Sequence, residues 1–184
     1  YTRGYLPHLD SLLVIQHISF HLADSLPHEV IKEIHAKEVI YGIKKLRLKT
    51  QWNCRAEMVL DQGYGSCVLQ VPDVANCMID TLFHFDAIRY QLLEWVVMPN
   101  HCHVLIQPLD LVPLFKIVLS WKNYTARFIR QYLRCRMTEA EQERSAIWQR
   151  EYWDRYIRNQ EHLMVVKEYI RRNPVRAGLV EHPE

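Results

Sequence analysis

The sequence lacks several features that would assign it to a common class of protein. Its five cysteines form no CxxC pair and stand far apart, at Cys54, Cys67, Cys77, Cys102 and Cys135. This spacing argues against a zinc ribbon or a thioredoxin-like site, and it indicates reduced thiols. No apolar run approaches the roughly 18 to 20 residues that span a bilayer. The sequence also has no GxxxxGK[ST] phosphate loop.

The composition is that of one globular domain with a basic second half. The chain has 184 residues, 49% of them hydrophobic, which is enough for a sizeable core. Residues 1–110 hold nine Lys/Arg against twelve Asp/Glu, a balance of −3, and residues 111–184 hold fourteen against nine, a balance of +5. A basic half is compatible with a polyanionic partner, although a solvated surface has the same composition.

Hydrophobic periodicity predicts strands and helices in the first half. The stretch Ser11–Leu22 is apolar and β-branched enough for a first strand, and Pro27 opens a long helical pattern. Gln51–Val71 has no sustained period, which predicts a long loop or a small hairpin with a turn at Gly63-Tyr64-Gly65. A second helix is predicted to begin near Pro72.

The second half opens with a predicted antiparallel hairpin. The apolar runs Tyr90–Val97 and His103–Ile106 flank Met98-Pro99-Asn100, whose proline and asparagine favour a tight turn. Helices are then predicted from Pro113 to about Arg136 and over about 160–173, the latter with Asn159 as N-cap. This order predicts an α+β fold, a ferredoxin-like antiparallel β-sheet covered by helices, in one domain spanning 1–184.

Two histidines stand two residues apart on the second hairpin strand. Because side chains alternate between the faces of a strand, His101 and His103 point to one face and Cys102 to the other. Two imidazoles on one face can share a metal ion, although the pattern also fits polar residues on a solvent-facing strand. A histidine-triad hydrolase would need a third alternating histidine, where Leu105 stands. A zinc site that uses Cys102 would need a bulge.

A tyrosine and an asparagine are four residues apart near the end of the last predicted helix. A helix that persists to Asn173 places Tyr169 and Asn173 on one face, one turn apart. Pro174 disfavours helical geometry at Asn173, so the spacing also fits a packing tyrosine followed by a helix-ending asparagine. Tyr124, on a helix that also follows the histidines, is a rival for any nucleophilic role.

Two blocks of the sequence resemble the signature motifs of REP-associated tyrosine transposases, single-tyrosine HUH transposases related to those of bacterial insertion sequences. The blocks are Val96–Leu105, VVMPNHCHVL, and Tyr169–Val180, YIRRNPVRAGLV. Trp148–Arg158 and Arg3–His8 are similar to further stretches of that family, so the resemblance runs from end to end. It implies a fold of the HUH endonuclease type.

The resemblance implies a role for each motif residue. His101, His103 and Asn173 would be ligands of a divalent cation, Mg²⁺ or Mn²⁺, and Tyr169 would be the nucleophile. The implied reaction cleaves and rejoins single-stranded DNA that carries a hairpin of the REP type, through a 5′-phosphotyrosine intermediate. A cation would stabilise charge on the phosphate, and the retained ester would allow rejoining without a nucleotide energy source. Cys102 stands where the family usually carries a bulky hydrophobe, and a buried thiol is a small apolar substitute.

Basic and polar residues of the second half form the predicted DNA surface. On the third predicted helix a stripe follows helical steps: Lys116, Ser120, Asn123, Arg127, Arg130 and Arg134. Between positions 148 and 158, aromatic residues interleave with arginines, a composition suited to unpaired bases and hairpin tips, although some of these aromatics must belong to the core. The full predicted set adds Lys122, Arg150, Arg155, Arg158, Arg171 and Arg172.

Two other functions stay open on the sequence alone. A regulator could bind DNA hairpins without cutting them, and a metal-dependent nuclease could use the same histidines with water as the nucleophile. We expect a monomer rather than a homodimer. We also expect it in the bacterial cytoplasm, associated with the nucleoid and without a membrane segment.

Overall fold

A four-stranded antiparallel sheet forms the centre of the computed structural model, which describes residues 13–32, 55–109, 112–134 and 146–183. The strands lie in the order β2-β3-β1-β4, and each pairs antiparallel with its neighbours. Their bounds are β1 Gln16–His21, β2 Tyr90–Val97, β3 His101–Pro108 and β4 Trp153–Tyr156. The long helices with both ends in the described ranges are α1 Pro72–Phe83, α2 Leu114–Leu133 and α3 Gln160–Arg176. The predicted α+β fold is confirmed.

The two faces of the sheet are covered by different helices. On one face, inward side chains of β1 and β3 such as Phe20 and Val104 form the main core with α1 and α2, where Trp121 is fully buried. On the other face, Leu105 packs against Ile170 of α3 in a smaller cluster. Each fully buried apolar side chain of this size stabilises the fold by about 1.5 to 3 kcal/mol. The sheet therefore separates an α1–α2 layer from an α3 layer.

The predicted hairpin is present and brings β1 beside the histidine strand. The backbone N–H of Met98 donates to the carbonyl of His101 at 2.9 Å, which closes the turn between β2 and β3. In the register of β1 and β3, Ser19 lies opposite His103 and His21 lies opposite His101. Because opposed residues share a face, β1 adds His17 and His21 to the face that carries the two predicted histidines.

Two predictions for the first half are corrected. Gln51–Val71 is not a loop or hairpin throughout, because residues 55–61 are helical and Val68–Gln70 form a 3-10 helix. Among the described residues of this helix only Leu60 is buried, so its sequence offers no apolar stripe to predict it from. The predicted turn is present, with positive φ at Gly63 and Gly65. The first strand begins at Gln16, since Leu13 has a φ of 67°, outside the extended region.

Two further predictions agree with the described part of the chain. Residues 28–32 are helical after Pro27, and the rest of that predicted helix, like Arg136 at the end of another, lies outside the described residues. The Asn159 side chain accepts a hydrogen bond from the backbone N–H of His162 at 2.8 Å, as expected of an N-cap. Among the described helices, none is both long and apolar enough to cross a bilayer.

Candidate active site

The imidazoles of His101 and His103 lie side by side under α3. Their ring centroids are 5.0 Å apart, and both side chains are completely buried. Burial lowers the pKa of His101 from 6.5 to about 3 and holds the pKa of His103 well below 6.5. Both rings are therefore neutral at physiological pH, and each retains a nitrogen lone pair that can bind a cation.

The orientation of His101 is fixed by the residue before it. The Asn100 side chain is fully buried, and its Nδ2 group donates to the carbonyls of Leu60 and Tyr64 at 3.1 and 2.9 Å. These contacts turn Oδ1 toward Nδ1 of His101, 2.8 Å away. Since an amide oxygen only accepts, Nδ1 of His101 carries the proton and donates it. The lone pair is thereby on Nε2, which faces the interior of the site.

His17 of β1 holds the second imidazole. Its Nε2 lies 3.3 Å from Nδ1 of His103, within hydrogen-bonding distance, and its ring also contacts Trp153 and Tyr169 at centroid distances of 5.2 and 6.0 Å. Burial, with the nearby charge of Arg155, lowers the pKa of His17 to about 3. This contact engages Nδ1 of His103, so Nε2 is left for another partner. Metal-binding histidines commonly have such a second partner.

Helix α3 brings Tyr169 and Asn173 to the same place. The Tyr169 ring lies 5.3 Å from the His103 ring between centroids, and the fully buried Asn173 side chain is close enough to His101 to act on the pKa of that imidazole. The sequence predicts that this helix ends around Asn173-Pro174, but the helix continues to Arg176. Pro174 removes one helical hydrogen bond, yet the buried Ile170 and Asn173 pack this turn in place. The tyrosine and the amide thus keep their i,i+4 relation.

The polar atoms that converge here make no well-formed hydrogen bond among the described residues, although Asn173 is close enough to His101, and Glu57 to Tyr169, to shift the pKa of His101 and of Tyr169. They are Nε2 of both predicted histidines, the phenol oxygen of Tyr169, both amide atoms of Asn173 and Oδ1 of Asp61. An unpartnered buried polar atom costs about 1 to 3 kcal/mol, so several together indicate a site for a ligand. Two imidazole nitrogens and one amide oxygen form a donor set that fits a divalent cation.

Two carboxylates near the site were not predicted from the sequence. Glu57 and Asp61 are one turn apart on the helical residues 55–61. Asp61 lies 4.0 Å from Nε2 of His101, and its other oxygen lies 3.5 Å from Arg176. Glu57 is close enough to Tyr169 for each to shift the other's pKa. In the sequence, the only sign of this pair is the four-residue spacing of Glu57 and Asp61. That spacing does not show which part of the protein the two carboxylates face.

The phenol of Tyr169 is held in its protonated form. Burial raises its pKa above the ordinary value of 10, and the charges of Glu57 and Asp61 raise it further. The guanidinium of Arg176, 5.0 Å above the tyrosine ring, opposes this effect. Any reaction of this oxygen as a nucleophile therefore needs a group that accepts its proton or a cation that lowers its pKa.

Comparison with known proteins identifies the family. A family model described as "Transposase IS200 like" matches residues 50–173, which include both histidines of β3, Tyr169 and Asn173. The chain belongs to the IS200-like transposase family. This match confirms the family that the sequence resemblance indicated.

The fold of this IS200-like transposase is similar to that of known structures. A REP-associated tyrosine transposase solved with a bound REP hairpin matches with a TM-score of 0.53 and 14% identity, over 96% of this chain and 75% of that one. A crystal structure from Deinococcus radiodurans, of a protein named as a transposase candidate, matches with a TM-score of 0.41 and 13% identity, over 94% and 96%. Only the first supports the fold. No curated protein sequence matches the chain.

The predicted basic stripe of the transposase lies on α2, in the layer opposite α3. Its residues Lys116, Asn123, Arg127, Arg130 and Arg134 are exposed, and Ser120 is half-buried. The rival nucleophile Tyr124 is 55% exposed on the same helix. The sheet stands between α2 and the histidine face, so the structure brings Tyr169, and not Tyr124, to the imidazoles.

One predicted DNA-binding residue is directed into the protein. The Lys122 side chain is buried, and its ammonium donates to the backbone carbonyls of Gln149 and Arg150 at 2.5 and 2.9 Å. Burial lowers the pKa of Lys122 to about 8. These contacts tie α2 to the chain that precedes β4, so we correct Lys122 from a predicted DNA contact to a structural residue.

The other predicted arginines differ in their distance from the candidate site. Arg155 pairs in register with His17, so its side chain lies on the histidine face, and exposed Arg158 lies two residues beyond the end of β4. Arg171 is held by Glu94 in an ion pair at 2.8 Å, whereas Arg172 is 61% exposed. Arg150 is also exposed. Arg155 is thus the predicted DNA contact that lies closest to the site in the sheet register.

Proposed function

We propose that the chain is a metal-dependent single-strand DNA transesterase that cuts and rejoins hairpin-containing DNA through a phosphotyrosine at Tyr169. The observation that carries this proposal is the convergence of Tyr169 and Asn173 on two neutral, buried imidazoles. A nucleic-acid binder without chemistry would not need unpartnered nitrogens, an amide and a phenol to be buried together. The family assignment, which covers all four residues, supports the same conclusion.

His101, His103 and Asn173 are the residues that would hold the cation. A bound Mg²⁺ or Mn²⁺ would stabilise negative charge on the phosphate oxygens as the nucleophile adds and the leaving oxygen departs. The neutral ligands would not cancel the charge of the ion. Asn100 engages Nδ1 of His101 and His17 engages Nδ1 of His103, so the Nε2 atoms of His101 and His103 stay available. Asn100 and His17 would thus position the two ligands.

Tyr169 would attack the phosphorus of the scissile phosphodiester. A bond forms between its oxygen and phosphorus while the bond to the 3′ oxygen breaks, which leaves a 5′-phosphotyrosine and, after protonation, a free 3′-hydroxyl. Glu57 is the nearest candidate acceptor for the phenol proton, because the two side chains interact directly. A later attack by a 3′-hydroxyl reverses these steps and rejoins DNA without hydrolysis.

Hairpin DNA is the substrate that the comparisons favour. The structurally similar REP-associated transposase was solved with a REP hairpin. In this chain Trp153 and Arg155 belong to β4 at one edge of the sheet, beside His17, where an aromatic ring and a guanidinium could contact unpaired bases and phosphates. Tyr169 and the histidines come from one chain, which supports a site that a monomer can complete.

A covalent adduct tests the proposal. Incubation with a labelled single-stranded hairpin and Mn²⁺ should give a protein–DNA band that survives denaturation. Tyr169→Phe should lose the band and still bind the hairpin, and the matched control Tyr124→Phe should keep it. Cleavage without an adduct would instead favour the nuclease that uses water, and hairpin binding without cleavage would favour the non-catalytic regulator.

A further inference from the structure

A carboxylate outside the family's signature blocks lies beside the candidate metal ligands. Asp61 Oδ1 is 4.0 Å from Nε2 of His101, and neither atom makes a well-formed hydrogen bond within the described part of the chain. The His101 side chain is completely buried, and the Asp61 side chain is only 14% exposed. An acceptor oxygen and an acceptor nitrogen at this distance repel each other unless something positive lies between them.

We infer that Asp61 is a fourth protein ligand of the divalent cation, a role that rests on the proposed function. Bonds of about 2.1 Å from one ion to an oxygen and to a nitrogen span at most about 4.2 Å. The observed 4.0 Å between Asp61 and His101 is compatible with such sharing. A carboxylate would add negative charge to an otherwise neutral ligand set and favour hard ions such as Mg²⁺ and Mn²⁺.

The position of Asp61 is fixed by the same residue that orients His101. The carbonyl of Leu60, the residue before Asp61, accepts a hydrogen bond from Nδ2 of Asn100, and the Leu60 side chain is buried. Asn100 thus connects the helical residues 55–61 to the start of β3. A link of this kind keeps the carboxylate and the imidazole at a constant separation, as a shared ligand set requires.

Arg176 is the competing partner of this carboxylate. Its guanidinium lies 3.5 Å from Oδ2 of Asp61 and also sits over the Tyr169 ring. Among the described residues, no three His, Cys, Asp or Glu side chains are placed to hold a metal ion by themselves, so the set also needs the amide of Asn173. Asp61 could bind the ion through Oδ1, the oxygen nearer His101, while Oδ2 faces Arg176. Arg176 and the cation should then compete for the charge of the same carboxylate.

Calorimetric titration of the whole chain with Mn²⁺, without DNA, tests this inference. Asp61→Asn keeps the shape of the side chain and removes its charge, and it should weaken Mn²⁺ binding about 10- to 100-fold. Arg176→Gln removes the competitor and should leave the affinity unchanged or increase it. Asp73→Asn, an equal change of charge at an exposed position of α1, is the matched control and should bind as wild type does.

The outcomes distinguish this inference from the proposed function. Equal affinities of wild type and Asp61→Asn would overturn the role of Asp61 and leave the rest of the proposal standing. A similar loss in Asp61→Asn and Arg176→Gln would also overturn it, because Asp61 would then serve only to hold Arg176. Absence of Mn²⁺ binding in the wild type would overturn both the inference and the metal dependence of the reaction.

Discussion

Replacement of Asn100 should separate the stability of the fold from the affinity of the site for a cation. The buried Asn100 side chain donates to the carbonyls of Leu60 and Tyr64 and accepts from Nδ1 of His101. Asn100→Ala removes all three hydrogen bonds. Asn100→Asp removes the two donated bonds but keeps an acceptor for His101. Only Asn100→Ala therefore leaves Nδ1 of His101 without an acceptor.

The expected magnitudes follow from these bonds. A hydrogen bond between neutral groups contributes about 1 kcal/mol, so Asn100→Ala should lower the free energy of unfolding by about 3 kcal/mol. Asn100→Asp should lower it by a similar amount, because its carboxylate faces two carbonyl oxygens. Mn²⁺ affinity should fall about 10- to 100-fold in Asn100→Ala, because Nδ1 of His101 then has no acceptor and the proton can move to Nε2, the nitrogen that would bind the ion. The affinity should fall less in Asn100→Asp, which keeps the acceptor for His101 but loses the bond to Leu60 that anchors residues 55–61.

Two measurements on the same protein preparations check this prediction. Urea unfolding gives the free energy of unfolding of each variant, and titration calorimetry under native conditions gives its affinity for Mn²⁺. Equal loss of affinity in both variants would refute the tautomer reasoning, since only Asn100→Ala lacks an acceptor for His101. An unchanged free energy of unfolding in Asn100→Ala would refute the assignment of the three hydrogen bonds.

Three further predictions concern buried groups. Burial keeps the pKa of His17 and His101 near 3 in the folded protein, so the unfolded chain binds more protons below pH 6.5. Urea unfolding should therefore show stability falling from about pH 6.5 toward about 3, by up to about 1.4 kcal/mol per pH unit for each histidine, and a flat profile would contradict this. Lys122→Met should lower the free energy of unfolding by about 2 to 4 kcal/mol without changing hairpin affinity; weaker hairpin binding at unchanged stability would restore Lys122 as a DNA contact. Iodoacetamide should label Cys102 only after unfolding, because the thiol is fully buried and burial raises its pKa; labelling of the native protein, read by mass spectrometry, would place it at an accessible surface.

Two geometric relations within the candidate site follow from local sequence alone. Alternation along β3 puts His101 and His103 on one face, and helical spacing puts Tyr169 and Asn173 on one face of α3. Both relations depend only on the type of secondary structure. The sequence pattern could not decide whether these two faces meet, because that depends on how α3 packs on the sheet through Leu105 and Ile170.

The parts that depend on long-range contacts were missed. β4 is four residues long and forms by pairing with β1, more than 130 residues earlier in the chain. Lys122 looks like a surface cation in the sequence, and its burial follows from the chain segment that covers it. Asp61 faces His101 only because Asn100 anchors the helical residues 55–61 beside the strand. None of these contacts has a local periodicity that a sequence could display.

Mass spectrometry of the covalent adduct tests the central claim most directly. Trypsin cuts after Lys167 and Arg171, and after Lys122 and Arg127, so Tyr169 and Tyr124 fall in different peptides, EYIR and NYTAR. After reaction with a hairpin oligonucleotide and digestion of the DNA, the account predicts a nucleotide mass attached to EYIR and an unmodified NYTAR. A nucleotide on NYTAR, or on neither peptide after complete cleavage of the DNA, would contradict it.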